Sequence, residues 1–285
     1  MTPSPVVARR ALLILGAAAL LPACTTAHAS RSEAGASQPP TAEPEPTTTP
    51  SASPPPSASP SPSASQWRPP TPPRAVPAAC PTASGVQAKP GNPQQYLRCS
   101  GTNIALTIDD GPHPTWTPKV LALLARHNVR VTFCVIGQNV AAHPDLVKRI
   151  VDGGHQIANH TFTHPLDLTT LTAGQLTTEI HRAGEAIANA GGKPARLFRA
   201  PGGNWSTQVV AACNAAGLRP LDWSVDPRDW SLPGVPHIVD TILTKTRPGA
   251  IILDHDGGGN RAQTIRALDI AIPRLLDAGY HFTQP

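Results

Sequence analysis

Hydrophobic and polar positions divide the chain into two unlike parts. From residue 103 onward, short apolar runs alternate with stretches whose apolar residues recur at helical spacing. Residues 104–108, 131–136, 156–158, 197–199, 218–223, 250–253 and 280–283 predict strands. Residues 118–127, 144–153, 173–190, 207–216, 236–246 and 261–278 predict helices. Pro118, Pro144 and Pro236 stand where a first helical turn tolerates proline, and Gly153, Gly191, Gly217 and Gly279 where helices stop. Pro273 is expected to kink or split the last helix. Strands alternating with helices imply an α/β fold with a parallel sheet. Polar clusters follow successive strands: Asp109-Asp110, Asn159-His160, Arg199, Asp226 and Asp229, and Asp254-His255. Chemistry spread over several strand ends is the mark of a βα-barrel face, and a doubly wound open sheet is the alternative.

The first part reads differently. Arg9-Arg10 precede the apolar stretch 11–21, and residues 1–23 read as a signal peptide. It closes on Leu21-Pro22-Ala23-Cys24, which resembles a bacterial lipobox, with cleavage before Cys24 and lipidation of its thiol. An ordinary secretory signal with a chance cysteine is the alternative. Residues 24–78 read as a disordered linker. Pro, Ser, Thr and Ala dominate 30–78, Trp67 is its one aromatic residue, and 18 of the chain's 35 prolines lie in 1–78. Such a stretch buries too little apolar surface to offset its chain entropy. As a polyproline-like tether at about 3.1 Å per residue it would reach roughly 150 Å. Residues 79–102 form a lead-in, and 103–285 a single catalytic domain.

Export permits disulfides. With Cys24 lipidated, Cys80, Cys99, Cys134 and Cys213 allow three pairings. Cys80 and Cys99 flank the Gly/Pro-rich lead-in and are the favoured bridge, whereas Cys134 and Cys213 read as buried free thiols. The net charge of +5 is not gathered into Lys/Arg blocks, which argues against nucleic acid as a partner. Gly257-Gly-Gly259 lacks a P-loop lysine and reads as a plain turn, so no nucleotide cofactor is expected. Beyond the first 25 residues no apolar run has bilayer-spanning length, so a lipid anchor would be the membrane contact.

The candidate chemistry sits at the strand ends. Adjacent carboxylates Asp109 and Asp110 point in different directions after a strand, so one can bind a metal while the other does acid–base work. His160 and His164 are four apart, a spacing that suits a metal, and Pro165 places them in a loop rather than a helix. Arg199 at a strand end can hold a carboxylate ionised. Asp226-Pro-Arg-Asp-Trp230 offers a carboxylate beside a large apolar face, and Leu253-Asp-His255 a titratable imidazole. Asp254 and Asp256 read by default as solvated loop carboxylates, with a supporting role behind the site residues as the alternative, and His113 reads as a loop residue.

These segments resemble the five motifs of the polysaccharide deacetylase family, carbohydrate esterase family 4. They occur in order as Thr107-Ile-Asp-Asp-Gly111, His160-Thr-Phe-Thr-His164, Arg199-Ala-Pro-Gly-Gly203, Asp226-Pro-Arg-Asp-Trp230 and Leu253-Asp-His255. The resemblance implies a distorted (β/α)7 barrel and one divalent metal, usually zinc, on Asp110, His160 and His164. It implies Asp109 as general base tuned by Arg199, and His255 as general acid oriented by Asp229. Trp230 and Leu253 would line an acetyl-methyl pocket, and the Ala200 N–H would help bind an oxyanion. Ile108 stands where the family often has Phe, and Ala200 where it often has an aromatic, changes expected to reshape the sugar subsite.

The implied activity is metal-dependent removal of N-acetyl groups from a cell-envelope glycan, with peptidoglycan favoured by a tethered, exported position. An O-acetyl esterase of the acetylxylan type, a chitin-oligomer deacetylase and a catalytically silent glycan-binding module are the alternatives.

Overall fold

A computed structural model describes residues 68–74, 92–98 and 101–285. The expected signal peptide, Cys24, most of the expected linker, Cys80 and Cys99 lie outside the described residues.

Seven strands alternate with helices: β1 (Asn103–Asp109), β2 (Thr132–Val135), β3 (Gln156–Asn159), β4 (Leu197–Phe198), β5 (Arg219–Pro220), β6 (Ile251–His255) and β7 (His281–Phe282). The helices are α1 (Thr117–Arg126), α2 (Gly137–Ala142), α3 (Pro144–Asp152), α4 (Ala173–Asn189), α5 (Thr207–Ala215), α6 (Val235–Lys245) and α7 (Ala262–Asp277). The strands pair in parallel in the order β5-β4-β3-β2-β1-β6, and β7 pairs with the start of β1. The sheet curls, and irregular backbone closes the seam between β5 and β6. Gln94 N–H donates to the Pro220 carbonyl, Leu97 N–H to Gly249, Val225 N–H to Ile251, and Leu253 N–H to Val225. The result is the distorted (β/α)7 barrel that the family resemblance implies, not the doubly wound open sheet.

Period-two alternation decides what fills it. Ala105, Cys134, Ala158, Leu197, Leu221 and Ile251 meet inside the barrel, the small Ala105, Cys134 and Ala158 leaving room in a narrow bore for the larger three. Their outward neighbours, among them Ile104, Leu106, Ile108, Phe133 and Ile252, join the apolar faces of α1, α3, α6 and α7 in the main core. Above the inner apolar layer the same inward positions become polar: Thr107 and Asp109 on β1, and His255 on β6. The barrel mouth therefore inherits its chemistry from strand register, with Asp109 opposite His255 and Cys134.

Three local expectations need correction. The six-residue α2 is not signalled by any apolar period, and it forms because Gly137 and Gln138 donate to the Thr161 and Phe162 carbonyls. The last helix is continuous through Pro273. The backbone bond that proline removes would fall on Asp269, whose exposed position lets water take its place. The strand predicted over 218–223 is ladder-paired only at Arg219–Pro220, because the chain then leaves to close the seam. Among the described residues, Cys134 and Cys213 are buried free thiols. No helix among them is long and apolar enough to cross a membrane.

Candidate active site

The polar ends of β1, β3, β4 and β6 converge at one mouth of the barrel. Among the described residues, Asp110, His160 and His164 are the group of His, Cys, Asp or Glu side chains compact enough to hold a metal ion, with ligand atoms within 4.8 Å of one another. Asp110 Oδ1 lies 3.1 Å from His164 Nε2 and 3.5 Å from His160 Nε2. The His160 ring is oriented from behind: its Nδ1 is 2.8 Å from the Arg199 carbonyl, so Nδ1 donates a hydrogen there and Nε2 is turned towards Asp110. Two nitrogens and a carboxylate oxygen suit a zinc-like cation with positions left for water and substrate.

Unusual backbone holds these three groups. Asp110, Thr161 and His164 have φ of 72°, 65° and 61°, a left-handed conformation that non-glycine residues adopt at a cost. Asn139 Nδ2 donates to the Asp110 carbonyl at 2.9 Å. The histidine loop is pinned by Glu179 of α4, which accepts the Phe162 N–H, the Thr163 N–H and the Thr163 hydroxyl. Thr161 Oγ1 accepts the His164 N–H at 3.1 Å, and Asn159 Oδ1 accepts the Thr161 N–H. Burial alone would raise the Asp110 carboxyl, but hydrogen bonds with His160 and His164 and the nearby charge of His255 bring it well below the ordinary range.

Asp109 sits beside this group. Arg199, fully buried, donates from one terminal nitrogen to Asp109 Oδ1 and Thr107 Oγ1, both at 2.7 Å, and from the other to the Asp222 carbonyl at 2.9 Å. That leaves Asp109 Oδ2 facing His160 Nε2 at 3.7 Å. Burial opposes the guanidinium's charge, but Asp109 outweighs it and the Arg199 pKa is raised.

On the neighbouring strand β6, His255 Nδ1 lies 2.6 Å from Asp229 Oδ1, while Asp229 Oδ2 accepts the His255 N–H and the Thr264 hydroxyl. Burial lowers the His255 pKa, but the bond and charge of Asp229 prevail and raise it to about 9. The imidazole is therefore a cation at neutral pH, with its Nε2 proton available to a substrate. Leu253 and Ala200 are buried beneath the mouth. Trp230 is 46% exposed at the rim, with the Arg228 guanidinium 4.7 Å over its ring. Asp226 serves the turn, accepting the Arg228 N–H at 2.7 Å.

Sequence reasoning missed several contributors. Asp254 and Asp256, expected as solvated loop carboxylates, are fully buried. Burial, then the charges of Asp229 and Asp226, push Asp254 well above the ordinary range. Burial and the charges of Asp110 and Asp109 push Asp256 up to about 7 against the Thr117 bond. Gly257 and Gly258, read as plain turn residues, lie against Asp110. His113 is a loop residue as expected, its N–H bonded to Thr117 Oγ1.

A family model for polysaccharide deacetylase matches residues 98–221. A chitooligosaccharide deacetylase from Rhizobium leguminosarum bv. trifolii is 46% identical over 189 residues, covering 62% of this chain and 87% of the relative. A peptidoglycan-N-acetylglucosamine deacetylase from Bacillus cereus is 41% identical over 181 residues, covering 63% of this chain and 84% of the relative. The solved structure of a peptidoglycan N-acetylglucosamine deacetylase bound to an N-oxidanyl-benzamide superposes with a TM-score of 0.61 at 34% identity, covering 64% of this chain and 86% of that one.

Proposed function

We propose that this chain, which belongs to the polysaccharide deacetylase family, uses a divalent metal to remove N-acetyl groups from the amino sugars of a cell-envelope glycan, peptidoglycan first among them. That it is a polysaccharide deacetylase follows from its relatives. The metal and the substrate are the inferred part. One observation carries the reading: a three-donor cluster (Asp110, His160, His164) accompanied by a buried Arg199–Asp109 pair and a buried His255–Asp229 pair. A glycan-binding module needs neither pair.

Asp110, His160 and His164 would hold the cation, zinc being the best match to two imidazoles and a carboxylate. Bound there, it would polarise the acetyl carbonyl and lower the pKa of water in the site. Asp109 is the general base. Arg199 occupies its Oδ1, so Oδ2, which faces the site, takes the proton from the attacking water. The Ala200 N–H contributes a donor to the developing oxyanion. His255, already a cation at neutral pH, gives its Nε2 proton to the departing sugar amine, which would otherwise leave as a strongly basic anion. Asp229 fixes the ring so that Nε2, not Nδ1, faces the substrate. Leu253 and Trp230 flank the acetyl methyl, and Trp230 adds an open aromatic face at the rim.

Peptidoglycan is favoured by the proposed export and lipid anchoring at Cys24 through a Pro/Ser/Thr-rich tether. The chitooligosaccharide relatives support chitin oligomers as the second substrate. Acetate release from peptidoglycan, chitin oligomers and acetylxylan, with Asp109→Asn as control, tests the reading. Release from peptidoglycan that the control abolishes is expected. Equal release by wild type and control would overturn it, and release from acetylxylan alone would make the protein an O-acetyl esterase.

A further inference from the structure

Residues that the proposed chemistry leaves unused crowd the back of Asp110. After His255 the chain runs on through Asp256, Gly257 and Gly258, and this stretch packs against the turn that follows β1. Asp256 is fully buried. Its N–H donates to the Asp109 carbonyl at 3.0 Å. Its Oδ2 accepts the Thr117 hydroxyl at 2.5 Å, and Thr117 Oγ1 accepts the His113 N–H at 2.7 Å. Its Oδ1 has no hydrogen-bond partner and abuts Gly111, where any Cβ would overlap it. One carboxyl thus ties the end of β6 to the start of α1 and presses on the residue after Asp110.

The two glycines complete the enclosure. A Cβ on Gly257 would overlap the Asp110 carbonyl, and one on Gly258 would lie 2.6 Å from Asp110 Oδ2. The two oxygens of Asp110 therefore meet unlike surroundings. Oδ1 faces the two imidazoles, at 3.1 and 3.5 Å, whereas Oδ2 rests against Gly258. Asp110 also holds a left-handed φ of 72°, a conformation that its neighbours must maintain.

We propose that Asp256 and Gly258 are positioning residues for Asp110: the Asp256–Thr117 bond locks the loop after β6 behind Asp110, and Gly258 leaves room for Oδ2 there so that Oδ1 alone is turned to the metal. This rests on the metal reading of Asp110, His160 and His164. An aspartate ligand that must keep a left-handed backbone and one rotamer loses its aim when its backing moves, and loss of such supporting contacts weakens metal affinity by ~10–100-fold.

The test is zinc affinity of the full chain, measured by competition with a fluorescent zinc chelator, with circular dichroism of the metal-free proteins as the folding check. Wild type should bind zinc and His160→Ala should not. Asp256→Ala, Thr117→Val and Gly258→Ala should each keep the wild-type dichroism spectrum, with Asp256→Ala weaker in zinc by ~10–100-fold. Asp256→Asn, which keeps an acceptor for Thr117 and fills the same space, should restore most of the affinity. A purely structural Asp256 would lower the melting temperature without moving the affinity of the folded protein. If Asp256→Ala does not fold, Thr117→Val and Gly258→Ala decide. Wild-type affinity in the folded variants overturns the inference, as does an Asp256→Asn variant no better than Asp256→Ala. A wild type that binds no zinc overturns the metal reading itself, a result distinct from normal binding in wild type and variants with loss in His160→Ala alone.

Discussion

His255 Nδ1 lies 2.6 Å from Asp229 Oδ1 inside a buried pair, and the bond raises the imidazole to about pH 9. The ordinary histidine value is about 6.5, so the folded state holds this proton more tightly than the unfolded chain. The pair's stabilisation is fully present below about pH 6.5 and is lost as pH rises through about 9. Asp229→Asn should therefore be less stable than wild type in denaturant titrations at acid pH, with the gap closing above about pH 9. Its pH–rate profile should lose activity at lower pH on the alkaline side, and kcat should fall ~100-fold or more as the acid is weakened and misaligned.

Arg199 serves Asp109, Thr107 and the Asp222 carbonyl at once from a fully buried position. Arg199→Ala leaves Asp109 a buried carboxylate without its cation and should cost about 3–5 kcal/mol by urea unfolding. Arg199→Lys keeps the charge but not the fork, and should lower kcat by more than it lowers stability.

Trp230 makes the contrasting case. Being 46% exposed, it contributes little to the core. Trp230→Ala should change stability by less than ~1 kcal/mol, as measured by thermal unfolding. Its kcat/KM on N-acetylated glycans should nevertheless fall, because the aromatic face at the rim is lost.

The buried thiols should be silent in the native protein. Burial raises Cys134 well above the usual thiol range and Cys213 to about 12, so neither forms a thiolate near neutrality. Mass spectrometry should find neither alkylated by iodoacetamide in native buffer and both alkylated in denaturant.

Much of this architecture was legible because strands and site share one pattern. The runs at 104–108 and 131–136 are apolar, of strand length, and end in polar residues, so locating the strands also located Asp109, Asp110, His160, Arg199 and His255. What escaped depends on contacts between segments remote in sequence. Asp254 and Asp256 read as hydrated loop carboxylates; only the pairing of Asp254 with Ile108 in the sheet and the close approach of Gly111 to Asp256 show why they are buried. Glu179 carries no signal of its own. It is a polar residue on a helix that tertiary packing brings under the N–H groups of Phe162 and Thr163. Helix α2 is too short to show a period, and its hydrogen bonds come from the neighbouring histidine loop.

The central claim is that catalysis depends on a cation held by Asp110, His160 and His164. Its most direct test is acetate release from N-acetylated peptidoglycan by the full chain before chelation, after chelation, and after zinc is returned, with His160→Ala in parallel. The account predicts loss on chelation, recovery with zinc, and no recovery in His160→Ala. Undiminished release by the metal-stripped wild type, or by His160→Ala, would contradict it.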